Sequence, residues 1–526
     1  MYFKVLIPSA GLGSRLGESY KNLNKALVSI DNKPVISHLI EKFSKDIEIV
    51  IALGHKGNLL RDYLQIAHPQ NKFKFIFVDN YFGKGSGLGY SILSCKKYLQ
   101  CPFIFAPNDS IIMEDIPDPD INWIGYGNSK DIANYRSLLF QNDYVEKILE
   151  KNTIISKEQK PYIGLAGIKD YKSFWEYMES GKEYGSITTG ESYAIEKFLN
   201  NGKLIKAIPF DWYDTGNLDS LNNAKQKLIS KNSPVILDKN NEAIWFVSNM
   251  AIKYNLDSEF ISNRIIRSRK LKGFVPPIVD EKENMYAYHL ISGNTMSKVT
   301  NKVIFEKLLN FLDQFWCEEE LTEEGRVIFN EKCFNFYKNK SLKRITLYFN
   351  RYSEKDNEEI INGVKVPPIK DIFGMINWDL LTNGNPTRFH GDLHFENILL
   401  SESGNFCLLD WRQDFEGLTD YGDIYYDLAK LMHGLIVSHE IINKGYYYFE
   451  KTEEIVNYGF YRKNSLVENE KTFIEFIASK GFNLFKVNLL TSLVFLNIAP
   501  LHHDPYSKLL FYLGKYNLYK HIKGNI

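Results

Sequence analysis

The sequence predicts an α/β protein in at least two parts. The first is an N-terminal doubly wound, largely parallel sheet. The second is two-lobed and α+β, with a small β-rich lobe ahead of a large helical one. Three observations lead to this. At 526 residues the chain exceeds what one ordinary core supports. Over about the first 225 residues, short β-branched runs alternate with helical patterns, which marks a parallel sheet with crossover helices. After two further β-like runs, the pattern from about residue 300 onward is mainly helical.

Strands are expected at Lys4–Pro8, Glu48–Leu53, Lys74–Val78, Phe103–Ala106, Trp123–Tyr126 and Lys206–Phe210. Helices fit Val35–Phe43, Asn58–Leu64, Gly87–Tyr98 and Ser192–Asn200. The polar stretch Lys225–Asn241 then breaks the pattern, and the domain boundary is placed within it, with 229–240 as linker. Ala243–Val247 and Met250–Tyr254 open the second part as strands. A helix over Ser258–Arg269, the pair Pro276-Pro277 and a strand into Tyr286–Ile291 follow, giving a small lobe over 241–300 and a helical lobe over 301–526. Short strands flank His390–Asn397 and fill Phe406–Trp411.

The bulk numbers exclude some classes. Lys+Arg and Asp+Glu are both 64, so no broad basic surface for nucleic acid or anionic membrane is expected. The five cysteines (95, 101, 317, 333, 407) lack metal-ligand spacing and read as reduced, mostly buried thiols of a cytoplasmic protein. The apolar run Leu489–Leu501 is interrupted by Thr491, Ser492 and Asn497 and ends at Pro500, so it is expected to be a core helix and not a membrane span. Met1–Pro8 runs straight into a glycine motif and reads as a first buried strand, with no signal peptide.

That motif is Ser9-Ala10-Gly11-Leu12-Gly13-Ser14-Arg15-Leu16, with Lys25 ten residues beyond Arg15. A glycine turn after a strand presents backbone N–H groups to one anion. Arg15 adds a fixed fork suited to phosphate oxygens. Lys25 is placed to neutralise charge that develops as one phosphate attacks another. Asp109 and Asp214 each follow a predicted strand, where an open parallel sheet binds its ligand, and two carboxylates meeting there suit one Mg²⁺. Taken singly, Asp109 reads equally as a cap or turn residue and Asp214 as a turn residue before Gly216.

Together these residues resemble the sugar-phosphate and alcohol-phosphate nucleotidyltransferases, or pyrophosphorylases, over about residues 1–225. The resemblance implies a Rossmann-like nucleotidyltransferase domain over 1–228. Gly11, Gly13, Ser14 and Arg15 would hold a nucleoside triphosphate, Lys25 would contact phosphates, and Asp109 and Asp214 would bind Mg²⁺. Glu150-Lys151 resembles the family's substrate-contacting pair, although Lys151 also reads as a solvated surface lysine. Tyr162–Gly167 resembles the strand lining the sugar pocket. Leu23-Asn24-Lys25 departs from the family, where many members carry Pro before the lysine.

The second chemical signature is His390-Gly391-Asp392-Leu393-His394-Phe395-Glu396-Asn397, followed by Leu408-Leu409-Asp410-Trp411. Asp392 is placed to meet an acceptor hydroxyl, Asn397 to meet a metal ion, and Asp410 to bridge a second Mg²⁺ to phosphates. His394 reads as orienting the loop. This set resembles the aminoglycoside phosphotransferase and choline kinase superfamily over about 235–526, which implies a kinase-like fold. In the resemblance, Lys253 is the phosphate-binding lysine and Glu259 its partner. Asp238–Glu242 stands in for a glycine-rich loop, and Tyr288–Thr295 is the hinge that meets adenine. Asp427 is read as pinning the loop, and Asp423 as lying near the acceptor. Trp411 reads as a cage wall or as a packed core residue.

The expectation is a bifunctional kinase and nucleotidyltransferase. ATP would phosphorylate a small hydroxylated substrate, and a second NTP (CTP, UTP or GTP) would then be joined to that phosphate with release of pyrophosphate. The product would be a nucleotide-activated precursor for capsule or another surface glycan. Two acceptor classes stay open: a sugar, or a small alcohol such as choline or ethanolamine paired with a phosphocholine-type cytidylyltransferase. So does a single-activity enzyme with one regulatory domain. Antibiotic resistance by phosphorylation would leave the N-terminal part without purpose. The expected partners are small molecules, with no nucleic acid.

Overall fold

Lys4–Ser9, apolar through its centre, is the hub of a nine-stranded sheet in the computed structural model of the protein. The structure describes residues 2–129, 131–153, 156, 158–229 and 241–524. The sheet runs Lys72–Phe77, Glu48–Leu53, Lys4–Ser9, Phe103–Phe105, Lys160–Ile168, Trp123–Tyr126, Lys206–Pro209, Tyr144–Leu149, Ser137–Gln141. The first four strands are parallel. Lys160–Ile168 then enters antiparallel to Phe103–Phe105 and to Trp123–Tyr126. The sheet is therefore mixed, which corrects the doubly wound parallel expectation. A further antiparallel pair lies at the edge, where Asn142 and Asp143, both at positive φ, close a two-residue hairpin between Ser137–Gln141 and Tyr144–Leu149.

Alternation places Val5 and Ile7 in one core and Leu6 in another, so helices cover both faces. Val35–Ile40 and Gly57–Ala67 lie on one side, and Leu88–Ser94, Tyr171–Ser180 and Glu191–Asn200 on the other. Tyr171–Ser180 and Leu218–Leu228 were not among the expected helices.

A separate four-stranded sheet runs Glu242–Val247, Met250–Asn255, Met285–His289, Ile278–Lys282. Its apolar face (Trp245, Val247, Ile252, Met285, Ala287) joins the first core, with Trp245 meeting Tyr63 of Gly57–Ala67 edge-on at 5.0 Å. By contacts the chain divides into 1–258 with 279–290, and 259–278 with 291–526. That division cuts through the segment 241–300 expected as a lobe, because its strands bury their apolar face in the first core. Residues 230–240 of the expected linker lie outside the described residues.

The second unit is mainly helical. Ile424–Ile436 is buried on nearly every side, and Leu484–Ile498 packs beside it, with Thr491 Oγ1 donating to the Ala429 carbonyl at 3.4 Å. The apolar stretch Leu484–Leu501 is long enough to cross a membrane by composition, but 67% of it is buried inside the protein. Helix Glu323–Phe334 continues through a π-turn at Asn335–Asn339 into Lys340–Tyr352. A four-stranded sheet not expected from sequence, Val364–Val366, Glu359–Ile361, Ile455–Phe460, Tyr447–Lys451, interrupts the helices. A smaller sheet of Gly293–Thr295, Ile398–Ser401 and Phe406–Leu408 carries the His390–Asp410 region. All five cysteines are free.

Candidate active sites

In the first unit, Lys4–Ser9 and Phe103–Phe105 are parallel neighbours in register Leu6↔Phe105. They therefore deliver the glycine turn and Asp109 to the same sheet edge. Gly13 takes φ 69°, and a Cβ there would stand 3.1 Å from the Lys25 Cβ, so the turn lies against Lys25. Lys25 donates from Nζ to Asp109 Oδ2 at 3.0 Å. Asn24, the departure from Pro, holds φ −68°, a value Pro itself would adopt. Its side chain accepts from Ala26 N and donates to the Ser9 and His55 carbonyls, which ties the lysine to the end of the first strand.

Asp214 arrives by a different route. Trp212–Asp214 pairs antiparallel with Ser110–Ile112, setting Asp214 opposite Ser110 and next to Asp109. Asp214 Oδ1 accepts from Gly216 N at 2.8 Å, and Oδ2 accepts from Tyr135 Oη at 2.8 Å. A Cβ built on Gly216 would lie 3.0 Å from Asp109 Oδ2, 3.1 Å from Asp214 Oδ1 and 3.5 Å from Arg15 Nη2. Two carboxylates and one guanidinium, from segments about 100 residues apart, thus converge on a single point. Burial alone would raise the Asp109 carboxyl, but Lys25 and Arg15 outweigh it and hold it below its ordinary value.

A cavity of about 770 Å³ opens here, lined among others by Arg15, Asp109, Lys151, Gly164, Glu191 and Asp214. Lys151 is exposed at its rim, while Glu150 pairs with Arg136 at 3.0 Å. Gly164, at φ 74° on Lys160–Ile168, sits where the strand register shifts. Glu191 went unnoticed in the sequence. It is 3% exposed, accepts from Tyr162 Oη at 3.1 Å through Oε1, and leaves Oε2 without a partner. Burial raises its carboxyl to about 7. Its only sequence signal is the place at the start of a helix behind Gly190.

In the second unit, the Asp392 loop is fixed from two sides. Asp427 accepts from His390 N and Gly391 N, each at 2.7 Å, and from Trp316 Nε1 at 3.2 Å, the pinning arrangement read from sequence. His390 is fully buried, and burial pushes it to about 3, so it stays neutral. Its Nδ1 accepts from Asp392 N at 3.2 Å and its Nε2 donates to the Leu409 carbonyl at 2.8 Å. One imidazole thereby ties Asp392 to the strand end that carries Asp410. Gly391 has φ 86°, and a Cβ there would meet the Arg412 Cβ at 2.6 Å.

Asp392 Oδ1 pairs with Lys430 Nζ at 2.7 Å, and Oδ2 lies 3.6 Å from His394 Nε2. Burial pulls the Asp392 carboxyl up, but Lys430 and His394 override it and hold it well below the ordinary range. His394 itself is raised to about 9: burial lowers it, and Asp392 and Glu396 outweigh burial. Asn397 Nδ2 donates to the Asp392 carbonyl at 3.0 Å and to its Oδ2 at 3.2 Å, which fixes the amide and leaves Oδ1 as its acceptor face. Asp410, at φ 57°, pairs with Arg264 at 3.1 Å.

Other expectations change. Asp423, expected near the acceptor, is fully buried and accepts from Tyr337 Oη, Asn385 N and Tyr425 N, which makes it a scaffold residue. Trp411 is 1% exposed and donates to the Arg264 carbonyl, so it is a packed core residue. Lys253 is buried on Met250–Asn255, within the first unit, its Nζ 6.0 Å from the Tyr288 ring. Tyr288–Thr295, expected as a hinge, spans the division between the units. Of the loop expected at Asp238–Glu242, residues 238–240 lie outside the described residues.

Among the described residues, no three His, Cys, Asp or Glu side chains are grouped to hold a metal ion. Asp109 with Asp214, and Asn397 with Asp410, are the oxygen donors to which the sequence pointed. That donor set fits Mg²⁺, which keeps waters and substrate phosphates in its shell and rarely takes an all-protein cage.

Comparison with known proteins finds different relatives for different parts of the chain. Residues 342–443 match the phosphotransferase enzyme family, APH. The first part is similar to the bifunctional protein GlmU of Methanococcus maripaludis, 27% identical over 242 residues, covering 43% of this chain and 55% of that protein. It is also similar to the UTP–glucose-1-phosphate uridylyltransferase AglF of Haloferax volcanii, 22% identical over 243 residues, covering 43% of this chain and 96% of that protein. The chain thus spans about half the length of the GlmU proteins it matches. Among solved structures, the CTP:phosphocholine cytidylyltransferase LicC of Streptococcus pneumoniae is 18% identical, with 43% of this chain and 100% of that one covered and a TM-score of 0.38. Residues 342–443 thus match a phosphotransferase family model, and the first part is similar to proteins named as nucleotidyltransferases.

Proposed function

We propose that the protein is a bifunctional enzyme. Its second part transfers the γ-phosphoryl group of ATP to a hydroxyl of a small molecule. Its first part joins the resulting phosphate to the nucleotidyl group of a second triphosphate and releases pyrophosphate. The observation that carries this reading is the convergence of Asp109, Asp214 and Arg15 on Gly216 in the same chain as the pinned Asp392 loop.

In the first site, Gly11, Gly13 and Ser14 cradle the triphosphate with backbone N–H groups. Arg15 and Lys25 face the oxygens on which charge accumulates as the acceptor phosphate attacks the α-phosphorus. Asp109 and Asp214 are the residues that would hold Mg²⁺, and Lys151 and Glu191 line the space for the acceptor. In the second, Asp392 orients the acceptor hydroxyl, and Asn397 and Asp410 are the metal-facing pair. Mg²⁺, when bound, offsets phosphate charge in both halves.

The acceptor is a sugar or small alcohol, and the product is a nucleotide-activated precursor of the kind used for surface glycans. The amino-alcohol alternative has one observation in its favour: the Tyr135 and Trp212 rings, 5.1 Å apart, wall the first cavity. The test is to incubate the full chain with ATP, a mixture of triphosphates and a panel of sugars and amino alcohols, and to read product masses. Asp392→Ala should abolish the phosphorylated product, and with it the nucleotide-linked product unless a preformed acceptor phosphate is supplied, whereas Asp109→Ala should abolish the nucleotide-linked product alone. An intact half-reaction in either variant rejects the assignment of that site.

A further inference from the structure

The second unit holds more positive charge beside Asp392 than Asp392 can use. Lys340 and Arg344 lie four residues apart, hence on one face of Lys340–Tyr352, and both are half-buried. Lys340 Nζ stands 3.9 Å from the Phe336 ring centroid and 5.6 Å from that of Tyr426. Arg412, two residues past Asp410, places its guanidinium 4.9 Å from the same Phe336 ring. The Phe336 and Tyr426 rings touch edge-on at 4.6 Å. Lys430, four residues beyond Tyr426 on its helix, reaches Asp392 at 2.7 Å.

Lys340 and Arg412 therefore stand against the aromatic pair, with Arg344 one helical turn from Lys340 and Lys430 one turn from Tyr426. Lys430 has Asp392, and Arg412 donates from Nε to the Asp414 carbonyl. Lys340 and Arg344 make no ion pair among the described residues, and Glu416 lines the cavity beside them. Burial, then the charges of Arg412, Lys430 and Arg344, hold the Lys340 ammonium well below its ordinary value. Half-buried like charges without counter-ions are destabilising, and are retained where a ligand supplies the opposite charge. A cavity of about 440 Å³ opens beside them, lined by Asn335, Asn339, Lys340, Lys343, Arg344 and Glu416. Asn335 and Asn339 of the π-turn Asn335–Asn339 line it, and such turns are frequent at functional positions.

We propose that this cluster is the acceptor subsite of the phosphotransferase half, and that the acceptor is an anion: a small hydroxylated molecule already bearing a carboxylate or phosphate. This rests on reading the second part as a hydroxyl kinase. The acceptor oxygen bonds to the γ-phosphorus of ATP, the bond to the β,γ-bridging oxygen breaks, ADP leaves, and the hydroxyl proton passes by way of Asp392 to solvent. Lys340, Arg344 and Arg412 hold the anionic group, and Lys430 keeps Asp392 ionised and aimed. A quaternary ammonium acceptor would meet repulsion here.

The full chain, with ATP and Mg²⁺, is to be assayed for ADP release on matched acceptors: glucose, glucose 6-phosphate and glucuronate; glycerol, glycerol 3-phosphate and glycerate; choline and ethanolamine. At least one anionic acceptor should exceed its neutral counterpart tenfold or more in kcat/KM, with the phosphate and carboxylate arms identifying the anion. Lys340→Gln with Arg344→Gln should raise that KM at least tenfold. Equal or better turnover of neutral or amine acceptors overturns the proposal. Calorimetry provides a readout independent of turnover, with ADP and a mixture of CTP, UTP and GTP saturating the nucleotide sites. Binding of inorganic phosphate and of acetate is measured in wild type and in the double variant, and equal binding of both anions by the two proteins also overturns the proposal. Phosphorylation surviving in Asp392→Ala would instead reject the kinase reading itself.

Discussion

Gly216→Ala tests the first site with the smallest possible change. The added methyl would lie 3.0 Å from Asp109 Oδ2, 3.1 Å from Asp214 Oδ1 and 3.5 Å from Arg15 Nη2. Both carboxylate contacts are roughly half an ångström short of ordinary van der Waals separation. Gly216 is not at positive φ, so the backbone accepts alanine and the strain falls on the two acids. They must part, and the space between them fills with carbon. Misplacing reacting groups by about 1 Å lowers rates around 10²-fold. Two ligands displaced together by half that distance justify a similar loss, about 2.7 kcal/mol of transition-state stabilisation. The neighbours that give way are side-chain ends, so folding stability should fall by only about 1 kcal/mol. The assay is pyrophosphate release from an NTP and a preformed acceptor phosphate, titrated with Mg²⁺. ATP-dependent phosphorylation by the second part serves as the internal control. A rate within threefold of wild type, with an unchanged Mg²⁺ requirement, would refute the convergence argued from Asp109, Asp214 and Arg15.

Lys430→Met removes a side chain only 7% exposed from an Asp392 that is 42% exposed. Solvent screening limits the destabilisation to about 1 kcal/mol, below the range for fully buried pairs. With its cation gone, the Asp392 carboxyl rises, so the acid limb of phosphotransfer should move to higher pH; an unmoved limb rejects the pairing. Glu191→Gln has the opposite linkage. The folded Glu191 is raised to about 7 from 4.5, so folding loses stability as pH climbs from the unfolded value through the folded one. The variant should match wild type near pH 4 and exceed it increasingly toward pH 8, by up to roughly 3 kcal/mol. Parallel thermal midpoints at pH 5 and 8 would contradict this.

The parts that local pattern encodes were legible. Strands such as Glu48–Leu53 and Trp123–Tyr126 fall where expected, since continuous apolar runs leave little choice. Asp109 and Asp214 were singled out because each follows a run expected as a strand. The pairing that joins them was not, since Trp212–Asp214 and Ser110–Ile112 are three residues each and too short for alternation. Asn142-Asp143 and Ser248-Asn249 close tight hairpins at positive φ, a signal that was present and unused. Lys340 and Lys430 were illegible for another reason. A lysine on a helix reads as solvated, and only the tertiary packing of Phe336 and Tyr426 draws Lys340 inward. Glu191 hid similarly among helix-start acids.

Ionisation separates the carboxylates by task. Asp427 accepts only neutral N–H donors, and burial raises it to about 6; it is scaffold. Asp109 and Asp392 are buried to a lesser degree, face cations, and are held low. That difference follows from what each must do. A carboxylate that pins a loop needs donors, whereas one that meets a metal or a substrate must stay charged through the ligand cycle, and it needs a resident cation to do so. Lys25 fills that need for Asp109 and Lys430 for Asp392. By this measure Asp392 is already satisfied, with His394 in support. Lys340, Arg344 and Arg412 are surplus to it. A scaffold explanation of that surplus would require carboxylates paired with these cations, and among the described residues Lys340 and Arg344 form no ion pair, Glu416 being the carboxylate that lines the cavity beside them. The surplus therefore belongs to whatever enters beside Asp392, and it sets the sign of that molecule's charge.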